Sequence, residues 1–377
     1  MRIGIDMISA GEGVGLSSGG MTVYYAGLSR ALTAMASVDK VVAFVPPAVG
    51  DFPALESRKL RLHECQGLPR HRIGRVLYEQ SVFALAASRE PIDVLLSTCN
   101  TRPLLYRRPN VVVLQSIQYL FFPHVFGRLR RTYLHAIVPA SLRSAQAVIV
   151  VSDWEKGEAV RLFNLDPDRV FTVHHGISDR VRGATLATVE AEPAARPYIV
   201  MASTLNSYKN HARLIQAFAQ LYRRRAIPHH LVLVGGEADL SRSDLARVAG
   251  ENGVGEQVEL LGSVPHQDIP RLIGRADVVA YPSLCETFGL PILEALAFGR
   301  PLVTSEVGAM AEIAGDAARL VDPKDVASIA AGLEDAIFNE SLRSRLRIAG
   351  PQRAALFTWE RCADGTLQAL RYATNHA

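Results

Sequence analysis

Short apolar runs recur along this chain at the spacing of a repeated strand–helix unit. In the first half they fall at 3–8, 40–45, 60–64, 92–97, 111–114, 147–151 and 170–174. Most are separated by stretches whose apolar residues return every three to four positions: 21–35, 74–87, 127–143 and 154–165. Unbroken Val, Ile and Leu runs suit strands covered on both faces, and the longer periodic stretches suit amphipathic helices. Asp153 stands where it would cap the helix over 154–165. Their alternation predicts a parallel sheet flanked by helices.

Around 178–197 the pattern dissolves into Asp179, Arg182, Gly183, Thr185, Glu190, Pro193 and Pro197, the composition of a linker. It restarts with a strand at 198–203, a helix at 212–224 and a strand at 231–234 ending in Gly235-Gly236. A helix near 241–251, a strand at 258–261, a helix at 268–275 and strands at 276–281 and 301–304 follow. Helices near 326–338 and 342–348 come next. The expected organisation is a Rossmann-like domain at 1–180, a linker at 181–197 and a second Rossmann-like domain at 198–350. In the segment 351–377, a last helix at 359–372 has no strand after it and would cross back to the first domain. This is an α/β chain of two doubly wound parallel-sheet domains. Such sheets bind ligands beyond the carboxyl ends of their strands, so the two halves would face a central cleft.

Composition narrows the function only by exclusion. A length of 377 residues fits two domains of ordinary size, and 49% hydrophobic with 21% charged residues is a globular balance. A net charge of +4 makes no case for nucleic acid. Cys65, Cys99, Cys285 and Cys362 are far apart, which argues against a zinc site or disulfide framework and suits a reducing cytosol. Residues 1–6 enter a strand pattern directly, and the longest apolar runs fall far short of a membrane span.

The candidate chemistry concentrates at 282–297. Glu286 and Glu294 lie eight residues apart around Thr287-Phe288-Gly289-Leu290-Pro291. A strand precedes them and a helix follows, with Pro291 suited to the first helical position. Glu286 then falls on the loop and Glu294 in the first helical turn. The N–H groups of 287–290 and the helix dipole would offer a phosphate site. Phosphate donors flanked by carboxylates suit a ligand bearing both phosphates and hydroxyls, as a nucleotide sugar does. The plainer alternative is a dipole-stabilising Glu294 and a solvated Glu286. At the other end, Gly11, Gly13, Gly15, Ser17, Ser18, Gly19 and Gly20 form a small-residue loop after the first strand. It is either a flexible turn or a contact for an anion or acceptor; without a clean G-x-G-x-x-G it does not point to a nicotinamide.

Several segments resemble the retaining glycosyltransferases of family 4, the group 1 glycosyltransferases, with their GT-B architecture. They are Thr204-Leu205-Asn206-Ser207-Tyr208-Lys209-Asn210, Val234-Gly235-Gly236 and Leu261-Gly262-Ser263-Val264. The stretch Pro282-Ser283-x-x-Glu286-x-Phe288-Gly289-Leu290-Pro291-x-x-Glu294-Ala295 matches too, as do Gly299-Arg300-Pro301-Leu302-Val303 and Gly308-x-x-x-Glu312-Ile313. The likeness covers 198–325. The first half matches through Gly19-Gly20 and Arg75-x-x-x-Glu79-Gln80.

The resemblance implies a role for each residue. Lys209 would contact the donor diphosphate and offset charge on the leaving nucleotide; otherwise it is a solvated lysine with Asn210 as helix cap. Glu294 would accept from the ribose hydroxyls. Glu286 would hold the transferred sugar and face oxocarbenium charge. Backbone N–H groups of Thr287, Phe288, Gly289 and Leu290 would bind sugar and phosphate. Thr204 and Gly235 complete the donor side, Val264 would contact the base, and Gly19 and Gly20 would let the backbone approach the phosphates. The family picture is front-face attack, in which the leaving phosphate accepts the acceptor's proton, with no bound metal. Two positions depart from the family pattern. Tyr208 stands where arginine is common, and Gln115-Ser116 where His-Asp is common. Gln115 can hydrogen-bond a sugar hydroxyl but cannot carry a proton at neutral pH.

Residues 119–131 combine aromatics with arginines, and Arg70, His71, Arg72 and Arg75 add a second basic patch. They imply either weak peripheral contact with anionic lipid and a lipid-linked acceptor, or core aromatics beside solvated arginines. Arg223, Arg224 and Arg225 read as a solvated helix end. The expected protein is a cytoplasmic enzyme, peripheral to the inner membrane. It would move a hexose, mannose by preference, from a nucleotide diphosphate donor to a glycan or lipid-linked acceptor of a cell-surface polysaccharide. The alternatives are a non-catalytic sugar-binding homologue and a GT-B nucleotide-sugar epimerase.

Overall fold

A computed structural model of the chain describes residues 1–8, 19–47, 57–69, 71–177, 181 and 196–377. Gly11, Gly13, Gly15, Ser17, Ser18, Arg70 and nearly all of the expected linker lie outside the described residues. The chain divides into two compact units. One comprises Met1–Phe121, Phe126–Gly176 and Thr358–Ala377; the other comprises Phe122–Val125 and Ile177–Phe357.

The first unit carries a seven-stranded, wholly parallel sheet. Its strands are β1 (Arg2–Asp6), β2 (Lys40–Val45), β3 (Leu60–Glu64), β4 (Val94–Ser97), β5 (Asn110–Leu114), β6 (Ala147–Val150) and β7 (Val170–Thr172). Their order is β3-β2-β1-β4-β5-β6-β7. Strands β4, β5 and β6 are buried throughout, as unbroken apolar runs demand, whereas edge strand β3 is largely exposed. The helices are α1 (Gly19–Ala34), α2 (Arg72–Tyr78), α3 (Ala84–Arg89), α4 (Gln118–Phe121), α5 (Arg128–Ser144) and α6 (Asp153–Phe163). A π-helical turn, Glu79–Phe83, joins α2 to α3. The cap of α6 is Ser152, whose side chain accepts from the Glu155 N–H at 3.1 Å; Asp153 is the first helical residue instead.

The second unit carries six parallel strands: β8 (Tyr198–Ala202), β9 (His230–Val234), β10 (Val258–Gly262), β11 (Val278–Tyr281), β12 (Leu302–Ser305) and β13 (Arg319–Val321). Their order is β10-β9-β8-β11-β12-β13. Its helices are α7 (His211–Arg225), α8 (Arg242–Glu251), α9 (Ile269–Arg275), α10 (Leu290–Ala297), α11 (Ala309–Ala314), α12 (Val326–Phe338) and α13 (Glu340–Ala354). Strand β13, three residues long, carried too short a pattern to read in advance. Helix α14 (Trp359–Asn375) is capped by Thr358. It packs in the first unit's core, where Trp359, Ala363, Leu367 and Leu370 join Tyr24, Leu28 and Ile149. Gly27 and Gly176 admit the indole: a Cβ on Gly27 would come within 2.1 Å of its ring and one on Gly176 within 2.7 Å.

Both sheets reverse their strand order once, between β1 and β4 and between β8 and β11. Loops leaving two such strands diverge to opposite faces and open a crevice at the carboxyl edge.

Candidate active site

In the second unit, that crevice is built by the loops after β8 and β11. The first carries Thr204, Tyr208 and Lys209; the second carries Glu286, Thr287, Phe288 and Gly289. They are fastened by backbone and amide bonds. The Leu284 N–H donates to the Tyr208 carbonyl at 2.7 Å. Asn210, left-handed at φ 72, donates its side-chain amide to the carbonyls of Pro282 (2.8 Å) and Pro323 (2.7 Å). Asn210 occupies the cap position of α7 without capping through its side chain. Its amide knots three loops instead, a role invisible in the local sequence. Tyr281 donates to the Ala202 carbonyl at 2.8 Å and thereby locks the ends of β11 and β8.

This scaffold brings Lys209 and Glu286 together. Lys209 Nζ donates to Glu286 Oε1 at 2.5 Å, with both side chains mostly buried. Burial pulls the lysine down, but the charge and hydrogen bond of Glu286 outweigh it, so the ammonium sits above its ordinary value. Sequence reasoning gave the two residues separate ligands and did not foresee their ion pair. His211 is pushed down to about 4, first by burial and then by Lys209; it is held at Ser203 Oγ, 3.1 Å away.

Glu294 is buried, and desolvation raises its carboxyl to about 7. Two local expectations are corrected here. Helix α10 begins at Leu290 after Gly289, so Pro291 is its second residue and Glu294 lies in the second turn. The reason is Gly289 itself, whose φ of 94 makes it the helix cap. Gly235 is fixed by proximity: a Cβ there would stand 1.9 Å from the Ser203 carbonyl oxygen. Val264, partly buried, lines a cavity of about 700 Å³ with Tyr198, Val232 and Leu272. The second unit also includes the turn Pro123–Val125. Its His124 Nε2 lies 3.0 Å from Ser207 Oγ, and the Phe122 ring lies 5.5 Å from that of Tyr208.

The remaining candidates belong to the first unit. Gly19 and Gly20 are not loop residues but the opening residues of α1, where N–H groups lack intrahelical acceptors. Gln115 follows β5; its N–H and that of Ser116 donate to Asn100 Oδ1 at 2.6 and 3.3 Å. At the switch point of this sheet lie Asp6 and Glu79, to which sequence reasoning gave no role although Glu79 stands in the Arg75-x-x-x-Glu79-Gln80 match. Burial lifts Asp6 to about 7, and burial with the charge of Asp6 lifts Glu79 to about 8. Thr101 Oγ1 donates to Glu79 at 2.9 Å. The signal was a lone aspartate closing an apolar strand.

Two wholly parallel Rossmann-like sheets, each with a crevice at its strand-order reversal, define the GT-B architecture. Family descriptions agree: "Glycosyl transferases group 1" matches residues 185–353 and "Glycosyltransferase Family 4" matches 18–180. The chain belongs to this family and is a glycosyltransferase. It is 32% identical over 267 residues to O-antigen chain mannosyltransferase B of Escherichia coli, covering 69% of this chain and 70% of that one. It is 30% identical to a D-inositol 3-phosphate glycosyltransferase of Nocardioides sp., covering 62% of this chain and 55% of that protein. Anabaena HepE, solved with UDP and glucose, superposes with a TM-score of 0.72 at 19% identity, over 98% and 99% of the two chains.

Proposed function

We propose that this glycosyltransferase transfers a hexose, mannose by preference, from a nucleotide diphosphate sugar to a glycan or lipid-linked acceptor of a cell-surface polysaccharide, with retention and without a bound metal. The observation that supports the reading is the Lys209–Glu286 ion pair, made by the loops after β8 and β11 at a strand-order reversal, with Glu294 on the helix that follows. An incoming diphosphate would draw the Lys209 ammonium from Glu286. The freed carboxylate would accept from hydroxyls of the transferred sugar and face the positive charge that develops at its anomeric carbon. Glu294 would hold the ribose diol. Neither glutamate is needed as a nucleophile when the leaving phosphate takes the acceptor's proton. The mannosyl preference follows the Escherichia coli relative. The enzyme would work in the cytoplasm, at the membrane face where a lipid-linked acceptor is displayed.

The test is nucleotide release from a panel of GDP-, UDP- and ADP-sugars, with and without lipid-linked acceptor. Acceptor-stimulated release from GDP-mannose, with the anomeric configuration kept in the product, is the expected result. Release only from another donor would overturn the mannosyl reading, and an inverted product the retaining one.

A further inference from the structure

The short helical turn Ser207–Lys209 is fixed through its backbone. The Ser207 N–H donates to Asp239 at 3.0 Å, the Lys209 N–H donates to the Asn206 carbonyl at 2.9 Å, and the Tyr208 carbonyl accepts from Leu284. None of these bonds reaches the end of the Lys209 side chain, a point charge on a flexible stem. Glu286 does, and so does the face of the Tyr208 ring. The ring centroid lies 5.4 Å from Lys209 Nζ, inside the range of cation–π attraction.

The ring is itself held. Phe122 meets it with centroids 5.5 Å apart and planes inclined by 42°, a tilted pair at ordinary aromatic contact distance. His124 Nε2 lies 3.0 Å from Ser207 Oγ, and the Val125 N–H donates to the Phe122 carbonyl at 3.2 Å. The turn Phe122–Val125 thus closes on Ser207 and Tyr208 together, the two residues immediately before the lysine. It belongs to the second unit, although Phe121 and Phe126 on either side of it belong to the first. Of the aromatics in 119–131, Tyr119 is core, whereas Phe122 serves the Lys209 turn.

A stack of Phe122, Tyr208 and Lys209 suits the moment at which the ammonium leaves Glu286. A hydrogen bond to a carboxylate is directional and is given up as the diphosphate arrives. Attraction to a ring face extends to about 6 Å from the centroid and uses none of the ammonium's N–H donors. The lysine can therefore swing toward phosphate oxygens with its charge still seated and its donors free to turn to them. Tyr208 stands where arginine is common in the family. The position thus gives one cation a fixed seat instead of adding a second cation.

We propose that Tyr208 and Phe122 are positioning residues for the transfer: Tyr208 seats the Lys209 ammonium against the leaving diphosphate, and Phe122, with His124 on Ser207, fixes the Tyr208 ring. The inference deepens the transferase reading and rests on it for its purpose, but its first test needs neither donor nor acceptor. The chain's lysines are Lys40, Lys59, Lys156, Lys209 and Lys324, so isotope-labelled lysine gives a sparse NMR spectrum in which Lys209→Arg identifies the Lys209 signal. Expected is an upfield ring-current shift of its ε protons, absent in Tyr208→Leu, kept in Tyr208→Phe and reduced in Phe122→Ala. The second test is turnover at saturating donor. Tyr208→Leu should lower kcat roughly tenfold with little change in donor KM, and Tyr208→Phe, which keeps the ring, should recover most of the loss. In a Lys209→Ala background the Leu substitution should change kcat by less than about twofold, because its effect passes through the lysine. Phe122→Ala should slow the wild type but not Tyr208→Leu. A Lys209 signal indifferent to Tyr208→Leu, a Phe variant as slow as the Leu variant, or the full loss repeated without Lys209 would overturn the seat. Phe122→Ala matching wild type in both readouts would overturn the role of Phe122. Failure of the transferase reading would show separately, as absent turnover in wild-type protein whose Lys209 shift is intact.

Discussion

The buried carboxyl of Glu294 makes donor affinity a function of pH, and Glu294→Gln isolates that dependence. Burial raises the group to about 7 in the unliganded protein, against an ordinary 4.5. A ribose diol donates hydrogen bonds, so it selects the ionised form and returns the carboxyl toward its ordinary value. Below about pH 7 the donor must therefore expel a proton, and linkage makes its Kd about tenfold weaker at about pH 6 than at about pH 8. His211, near 4, stays neutral through this window and does not contribute. The unliganded protein responds in the opposite sense. Its folded-state carboxyl binds the proton more tightly than the unfolded one, so stability falls as pH rises from about 4.5 to about 7, by about 3 kcal/mol in all. Glutamine never ionises. The variant should be the more stable unliganded protein at about pH 8, yet bind donor more weakly and with a flat pH profile. Calorimetric titration with the nucleotide sugar, whose diphosphate diester does not titrate here, reads affinity; thermal unfolding reads stability. Wild-type affinity that is flat from about pH 6 to about pH 8, or a variant that keeps the wild-type slope, would refute the assignment of Glu294 to the diol.

Lys209→Ala should lower kcat by a hundredfold or more, about 3 kcal/mol of lost charge stabilisation, and single-turnover kinetics with saturating donor measures it. It also strands Glu286, so donor-free stability should drop as well. Asn210→Ala leaves the carbonyls of Pro282 and Pro323 without their donor and puts a Cβ residue other than Asn in a left-handed conformation. About 2–4 kcal/mol of stability should be lost in urea unfolding. Asp277 is desolvated, but hydrogen bonds from His229 and Arg343 more than offset this and hold its carboxyl well below the usual range. Its contribution is present above about pH 4 and lost as pH falls further, so Asp277→Asn should flatten the acid limb of a stability–pH curve measured by chemical denaturation.

Much of this molecule was legible in one dimension. Strands such as β5 and β6 are read from unbroken apolar runs, because a parallel strand covered on both faces admits nothing else. Glu286 and Gly289 stood out through the carboxylate spacing and turn chemistry of 282–297, and Lys209 through the family resemblance. Three-dimensional packing decided the rest. Lys209 and Glu286, 77 positions apart, became an ion pair because β8 and β11 are neighbours where the sheet reverses. Asn210 looked like a helix cap; only the arrival of the loops after β11 and β13 gave its amide two carbonyls to bind. The titration of Glu294 follows from how completely α10 is covered, and coverage has no local code. Periodicity is a property of the chain and fixes the elements; neighbourhood and desolvation belong to the assembled fold, and they set the chemistry.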